Sequence, residues 1–170
     1  GGAGPVLARS ELMLRDPRFA SAHRPEVVVR IGRSPTSKSQ RLWFETGLPG
    51  EVMLVDPDRA WNDPSGLATH WLEAEPAALC QAVCERLGRP PRRKGGWLRD
   101  FVAADAAAST AIRDVIEGDD ALLAPGLVSE LAGLLPPDAW LYVSNSMAVR
   151  DVDAFWPVES RPRRILSNRG

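Results

Sequence analysis

The sequence predicts an α/β fold built on parallel strands, and three observations carry that prediction. Two short apolar runs, Val27-Val28-Val29-Arg30-Ile31 and Val52-Met53-Leu54-Val55, flank a stretch of helical pattern, which is the strand–helix–strand rhythm of a parallel sheet. The same order of elements returns later, with Trp140-Leu141-Tyr142-Val143 and Arg164-Ile165-Leu166 on either side of residues 147–155. Between these two blocks lie segments with the 3.6-residue apolar period of amphipathic helices.

Each element has a local reason. Leu7, Leu12, Met13 and Leu14 suggest one or two helical turns that end near Asp16-Pro17. Pro25 and Gly32 bound the first β-branched run, which reads as a buried strand. Residues 36–46 read as a helix whose apolar face is Leu42 with Trp43 or Phe44. Gly47 and Gly50 mark a turn, and Asp56-Pro57-Asp58 ends the second strand. Residues 61–66 form a loop, and Thr69 to Leu72 reads as a short third strand.

In residues 76–87, Leu79, Cys80, Val83, Cys84 and Leu87 share one helix face, so both cysteines are expected in the core of a protein kept in a reducing compartment. Pro90 to Gly96 is a connector with three positive charges. Trp97 to Glu117 reads as one long helix, with Trp97, Phe101, Ala108, Ile112 and Val115 or Ile116 on its buried stripe. A boundary is expected at Gly118-Asp119-Asp120, then a helix over 125–135, the strand 140–143, a helix over 147–155 and the strand 164–166.

Composition excludes several classes. At roughly 150 residues per domain, 170 residues make one domain or one and a piece of another. Twenty-one Lys+Arg against 22 Asp+Glu leave a net charge of −1, which argues against a nucleic-acid or other polyanion binder. No apolar run approaches a membrane span. Two cysteines are no disulfide framework, and two histidines without cysteine neighbours make no zinc site, so no metal ligand is assigned. A cytoplasmic location is expected.

The densest chemical signal is Ser144-Asn145-Ser146-Met147-Ala148-Val149-Arg150-Asp151. Polar residues here leave a strand and open a helix, the edge at which open α/β sheets bind ligands. Free N–H groups at the helix start suit a carboxylate or phosphate. Ser146 and Arg150 are four residues apart and share a helix face, so a hydroxyl and a guanidinium can hold one carboxylate. The alternative is that Asn145 or Ser146 only caps the helix and Arg150 pairs with Asp153 or solvent.

A second signal is Gly32-Arg33-Ser34-Pro35-Thr36-Ser37-Lys38, another polar loop between strand and helix. Thr36 or Ser37 can cap that helix. Lys38 then stands near its positive end, where a cation is unfavourable unless it faces an anion. The spacing is not that of a P-loop, and no dinucleotide fingerprint occurs. A third signal is Ser167-Asn168-Arg169-Gly170, where Arg169 shares a sheet edge with Ser146 if the two strands are neighbours. Neither His23 nor His70 has a Ser, Cys or Asp partner in the pattern, so an enzyme of this kind relies on a cofactor that the chain helps to position.

Taken together, His23-Arg24-Pro25, Val29-Arg30-Ile31-Gly32 with Pro35-Thr36-Ser37-Lys38, Asn145-Ser146-Met147-Ala148-Val149-Arg150-Asp151-Val152-Asp153 and Ser167-Asn168-Arg169-Gly170 resemble the thiamine-diphosphate-dependent SEPHCHC synthase family of menaquinone biosynthesis. The most specific part is the Asn-Ser-Met-x-x-Arg-Asp segment followed by Asn-Arg-Gly. The resemblance runs over nearly the whole chain. It implies the three-layer, parallel-sheet α/β domains of thiamine-diphosphate enzymes, with a partial central domain over 1–118 and the truncated start of the diphosphate-binding domain over 119–170. The pyrimidine-binding domain and its activating glutamate lie outside this chain, as do the main ligands of Mg2+ and the diphosphate, so no catalytic residue is assigned and the segment is not expected to act alone.

The resemblance further implies a transferase that decarboxylates 2-oxoglutarate and adds the succinyl unit to isochorismate. By position, Lys38, Asn145, Ser146, Arg150 and Arg169 match substrate-binding residues, and Asn145 and Ser146 also face the cofactor. Ser39 stands where some members carry a second basic residue. A homodimer or homotetramer is implied. The competing readings are a non-catalytic α/β module that holds a small carboxylate or phosphate metabolite at the 144–150 edge, and another thiamine-diphosphate enzyme such as a decarboxylase.

Overall fold

The computed structural model describes residues 5–47, 49–88, 96–118, 121, 123–158 and 163–168. In chain order the elements are α1 (Ser10–Met13), α2 (Pro17–Ala22), β1 (Val27–Ile31), α3 (Lys38–Gly47), β2 (Glu51–Val55), β3 (His70–Leu72), α4 (Pro76–Leu87), α5 (Trp97–Gly118), α6 (Ala124–Leu134), β4 (Trp140–Val143), α7 (Met147–Phe155) and β5 (Arg164–Ser167). The fold class is the α/β class with parallel strands that the sequence predicts. The chain forms two compact units, Pro17–Gly96 and Gly1–Asp16 with Trp97–Gly170.

In the unit of residues 17–96, three parallel strands lie in the order β1-β2-β3. Val27 pairs with Glu51 and Ile31 with Val55, while Met53 pairs with His70. The central strand is the core, with Leu54 and Val55 fully buried and Val52 nearly so. The expectation of a buried strand at 27–31 is corrected. β1 alternates, and Val27, Val29 and Ile31 are about half exposed. It has β2 on one side only, and among the described residues nothing buries the face that carries Val27, Val29 and Ile31.

A second correction concerns α4. Its limits match the reading, but Cys80 and Cys84 are exposed, as are Val83 and Leu87. The i, i+4 spacing does place these residues on one stripe. What covers a stripe is decided by other elements, and of this one only Leu79 is half-buried. The connector over 90–95 lies outside the described residues. The short helix α2 has no counterpart in the sequence reading. It is tied down from inside the unit, where the Trp43 indole N–H donates to the Ala20 carbonyl at 3.0 Å.

In the other unit, β4 and β5 form a two-stranded parallel sheet. Helices α1, α5, α6 and α7 pack together around Met13, Leu14, Phe101, Val128, Ala132, Val143 and Ala154, all buried. Phe101 lies against Trp97 with ring centroids 4.2 Å apart. Of the two residues left open for the last turn of the α5 stripe, Ile116 is half-buried and Val115 is exposed. Helices α5 and α6, which stand on either side of residues 119–123, pack on each other within this unit. No helix among the described residues is long and apolar enough to cross a membrane.

Candidate functional site

β4 delivers the chain to Ser144, Asn145 and Ser146, and α7 starts at Met147. The pairing of β4 and β5 runs out at Val143↔Ser167. The two strands are therefore parallel neighbours whose carboxyl ends coincide, and Asn168 leaves β5 where Ser144 leaves β4. Ser144, Asn145, Ser146, Ser167 and Asn168 are all exposed at this edge. Arg169, the residue expected to complete it, lies outside the described residues.

Ser146 occupies the N-cap position of α7 but does not cap it. Its side chain makes no capping hydrogen bond, and its backbone sits at φ 65°, ψ −131°. A non-glycine residue there costs on the order of 1–3 kcal/mol, and such strain concentrates at functional sites. The chain turns so sharply from β4 into α7 that the residue at the corner takes a left-handed φ, and the hydroxyl is left out of the helix's own hydrogen bonding. Ser144 and Asn145 are within reach of each other, Oγ to Oδ1 at 3.4 Å. The first turn of α7 contains no acidic residue, so its N–H groups and partial positive charge are not offset by a local carboxylate.

Arg150 stands one turn further on, on the face that Ser146 begins. It is exposed and has no hydrogen bond or ion pair among the described residues. The alternative pairing with Asp153 is not made. Asp153 is held above the usual carboxylate range, first by partial burial and then by the nearby charge of Glu11. Ser146 thus makes no capping hydrogen bond, and Arg150 faces solvent rather than Asp153.

Lys38 belongs to the other unit and is described within it. Gly32, with φ 75°, turns the chain out of β1, and its N–H donates to the Val55 carbonyl at 3.0 Å. Ser37 is the capping residue. It is buried, and its Oγ accepts from the Gln40 N–H at 3.0 Å. Lys38 follows as the first residue of α3 and is exposed, a cation at the positive end of a helix with no acidic residue in its first turn.

The same sheet edge carries residues that the sequence reading did not single out. Asp56, buried at the end of β2, accepts from the N–H groups of Asp58 (3.2 Å) and Ala60 (2.9 Å). Arg30 reaches from β1 to Asp63 Oδ1 at 3.1 Å and also donates to the Asn62 carbonyl. Together they hold the 56–66 loop in shape, in which Arg59 and Trp61 have positive φ. The only sequence signal was the turn chemistry of Asp56-Pro57-Asp58 and Asn62-Asp63-Pro64.

Chemically, the 144–150 edge offers a carboxamide, two hydroxyls, free helix N–H groups and one uncommitted guanidinium. These are the donor groups and the positive charge with which a carboxylate pairs. It holds no base. Among the described residues there is no group of three His, Cys, Asp or Glu side chains able to hold a metal.

No family profile matches the chain. Individual proteins do. The chain is 37% identical over 171 residues to the 2-succinyl-5-enolpyruvyl-6-hydroxy-3-cyclohexene-1-carboxylate synthase of Myxococcus xanthus, covering 99% of this chain and 28% of that protein. It is 34% identical over 166 residues to the synthase of the same name from Chloroflexus aurantiacus, covering 97% of the chain and 28% of that protein. The synthase of Geobacillus thermodenitrificans is 32% identical over 165 residues, with the same two shares. The chain thus spans a little over a quarter of the length of the curated relatives it matches.

Proposed function

We propose that this chain, related along nearly its whole length to one segment of the SEPHCHC synthases, forms part of the substrate-holding wall of such an enzyme. The reaction is the decarboxylation of 2-oxoglutarate on thiamine diphosphate and addition of the succinyl unit to isochorismate, a step of menaquinone biosynthesis. The chain spans 28% of those relatives, so the activity belongs to the complete protein.

The observation that carries this reading is the pairing of an uncapped, strained Ser146 with an uncommitted Arg150 one helical turn away. Both substrates bear carboxylates, and a guanidinium binds a carboxylate through two parallel hydrogen bonds. Arg150 is the clamp, Ser146 and Asn145 orient the bound group at the turn, and Arg169, which follows β5 in the sequence, is assigned as a second cationic contact. Lys38, at the carboxyl edge of the sheet in its own unit, is assigned a substrate contact of its own. The strain at Ser146 holds the hydroxyl where a relaxed capping serine would have turned it back into the helix.

The residues at this edge fit the organic, substrate-facing side of the cofactor, since they are neutral or cationic donors. They do not form the acidic cluster that would hold Mg2+ on a diphosphate, and those ligands are assigned to the remainder of the protein. Thiamine diphosphate, when bound, supplies the electron sink for loss of carbon dioxide from a 2-oxo acid. The side chains of this segment bind and orient the substrate. The family division into a central domain over 1–118 and the opening of a diphosphate-binding domain over 119–170 is kept as part of the same reading, with a cytoplasmic homodimer or homotetramer as the assembly.

The test is an assay of the complete protein that carries this chain, with thiamine diphosphate, Mg2+, 2-oxoglutarate and isochorismate. Release of carbon dioxide together with consumption of isochorismate is expected. Turnover of 2-oxoglutarate that leaves isochorismate untouched would identify a different thiamine-diphosphate enzyme. Binding of a carboxylate without any turnover would favour a non-catalytic module.

A further inference from the structure

Arg9 is one of the few buried charged residues among the described residues, at 7% exposure, and lies in a stretch to which the sequence patterns gave no chemistry. Its guanidinium Nη1 donates to the Ala154 carbonyl at 2.8 Å and to the Trp156 carbonyl at 3.0 Å. Its Nε donates to Ser109 Oγ at 3.3 Å, and its backbone N–H donates to Asp105 Oδ1 at 2.7 Å. Asp105 and Ser109 are one turn apart on α5. Ala154 and Trp156 close the last turn of α7. Burial lowers the Arg9 pKa and Asp105 opposes that shift, yet an arginine remains charged far above neutrality. A cation thus sits at the negative end of α7, where the helix dipole favours it, and takes up carbonyls that the helix leaves unbonded.

The other end of the same helix carries Ser146 and Arg150. A nine-residue helix is a rod of roughly 14 Å, with little axial give. Pinning its last carbonyls to α5 sets the height of its first turn above the carboxyl ends of β4 and β5. We infer that Arg9 is a positioning residue: by holding the C-terminal turn of α7 on Asp105 and Ser109 of α5, it fixes where Ser146 and Arg150 stand at the sheet edge. This rests on the function proposed for that edge. Lysine in its place keeps the charge but cannot reach two carbonyls and a hydroxyl with one planar fork.

The test uses the complete protein with Arg9→Lys, and Ser109→Ala as a milder variant should Arg9→Lys fail to fold. Amide hydrogen exchange at residues 146–150 is expected to quicken relative to α6. kcat/KM is expected to fall about 10- to 100-fold at a temperature well below the thermal midpoint. Combined with Arg150→Ala, Arg9→Lys is expected to add little further loss, because both act on one contact. A lowered melting temperature with unchanged exchange at 146–150 and unchanged kcat/KM would reduce Arg9 to packing and overturn the inference. So would additive losses in the double variant. If the wild-type protein turns over neither substrate, the functional reading fails, while the exchange comparison still decides whether Arg9 sets the first turn of α7.

Discussion

Val143 and Ser167 are register partners at the ends of β4 and β5, so the two strands leave their sheet side by side. This parallel neighbourhood brings Ser144, Asn145 and Ser146 to the same edge as Ser167 and Asn168, although these two stretches are far apart in the sequence. The predictions below follow from that edge and from the buried polar groups that support each unit.

Arg150→Ala in the complete protein removes the one uncommitted guanidinium from the turn. Loss of a charge-assisted clamp costs on the order of 2–3 kcal/mol, equivalent to a fall in kcat/KM of about 30- to 150-fold. Arg150→Lys recovers only part of it, since a point charge does not reproduce the bidentate fork. Steady-state kinetics with each carboxylate substrate measures both, and wild-type constants for Arg150→Ala would remove the clamp.

Ser146 separates stability from activity. Ser146→Gly relieves the left-handed φ and is expected to stabilise the fold by about 1 kcal/mol in denaturant unfolding, while activity falls with the hydroxyl. Ser146→Ala loses the hydroxyl without relieving the backbone, so its activity falls and its stability stays near wild type. Equal stability of the glycine and alanine variants would show that the turn is not strained.

Asp56 is buried and accepts two backbone N–H groups of the following loop. Asp56→Ala leaves those donors without their acceptor and is expected to cost about 1–3 kcal/mol. Increased proteolysis within residues 57–66 is expected to accompany the loss, and a loop as resistant as wild type would contradict this role.

Asp153 gives a pH dependence whose sign is fixed by its shift. Its folded-state pKa is raised above the unfolded value by burial and by Glu11. The unfolded chain therefore ionises first as pH rises, and the group destabilises the fold above the ordinary carboxylate range, an effect that disappears in acid. Asp153→Asn is expected to raise the melting temperature at pH 7 by about 1–3 °C, solvent screening keeping the gain small, and to lose that advantage toward low pH. Thermal melts across pH would contradict this if the gain grew on acidification.

The order of elements was legible in the sequence because it rests on local patterns. β-branched and apolar runs between turn residues marked β1 and β2, and the 3.6 period marked α4, α5 and α6 at or near their observed limits. The 144–150 edge was legible for the same reason, as polar residues placed between a strand and a helix. Burial was not. Cys80 and Cys84 sit on the predicted stripe of α4 and are exposed, and Val27 and Val29 belong to a strand with one open face. Periodicity reports which residues share a face and says nothing of what that face meets.

Acting alone, the sequence determined the α/β class, the positions of the strands and of every helix but α2, and the residue types gathered at Ser144 to Arg150. The tertiary structure decided three further things. It made β4 and β5 parallel neighbours, it gave Ser146 a backbone that forgoes capping, and it brought Arg9 from a distant part of the chain onto the last carbonyls of α7. The reason is range. Strand and helix patterns depend on neighbours a few residues away, whereas register, backbone strain and a buried guanidinium's partners are set by groups that meet only after the chain has packed.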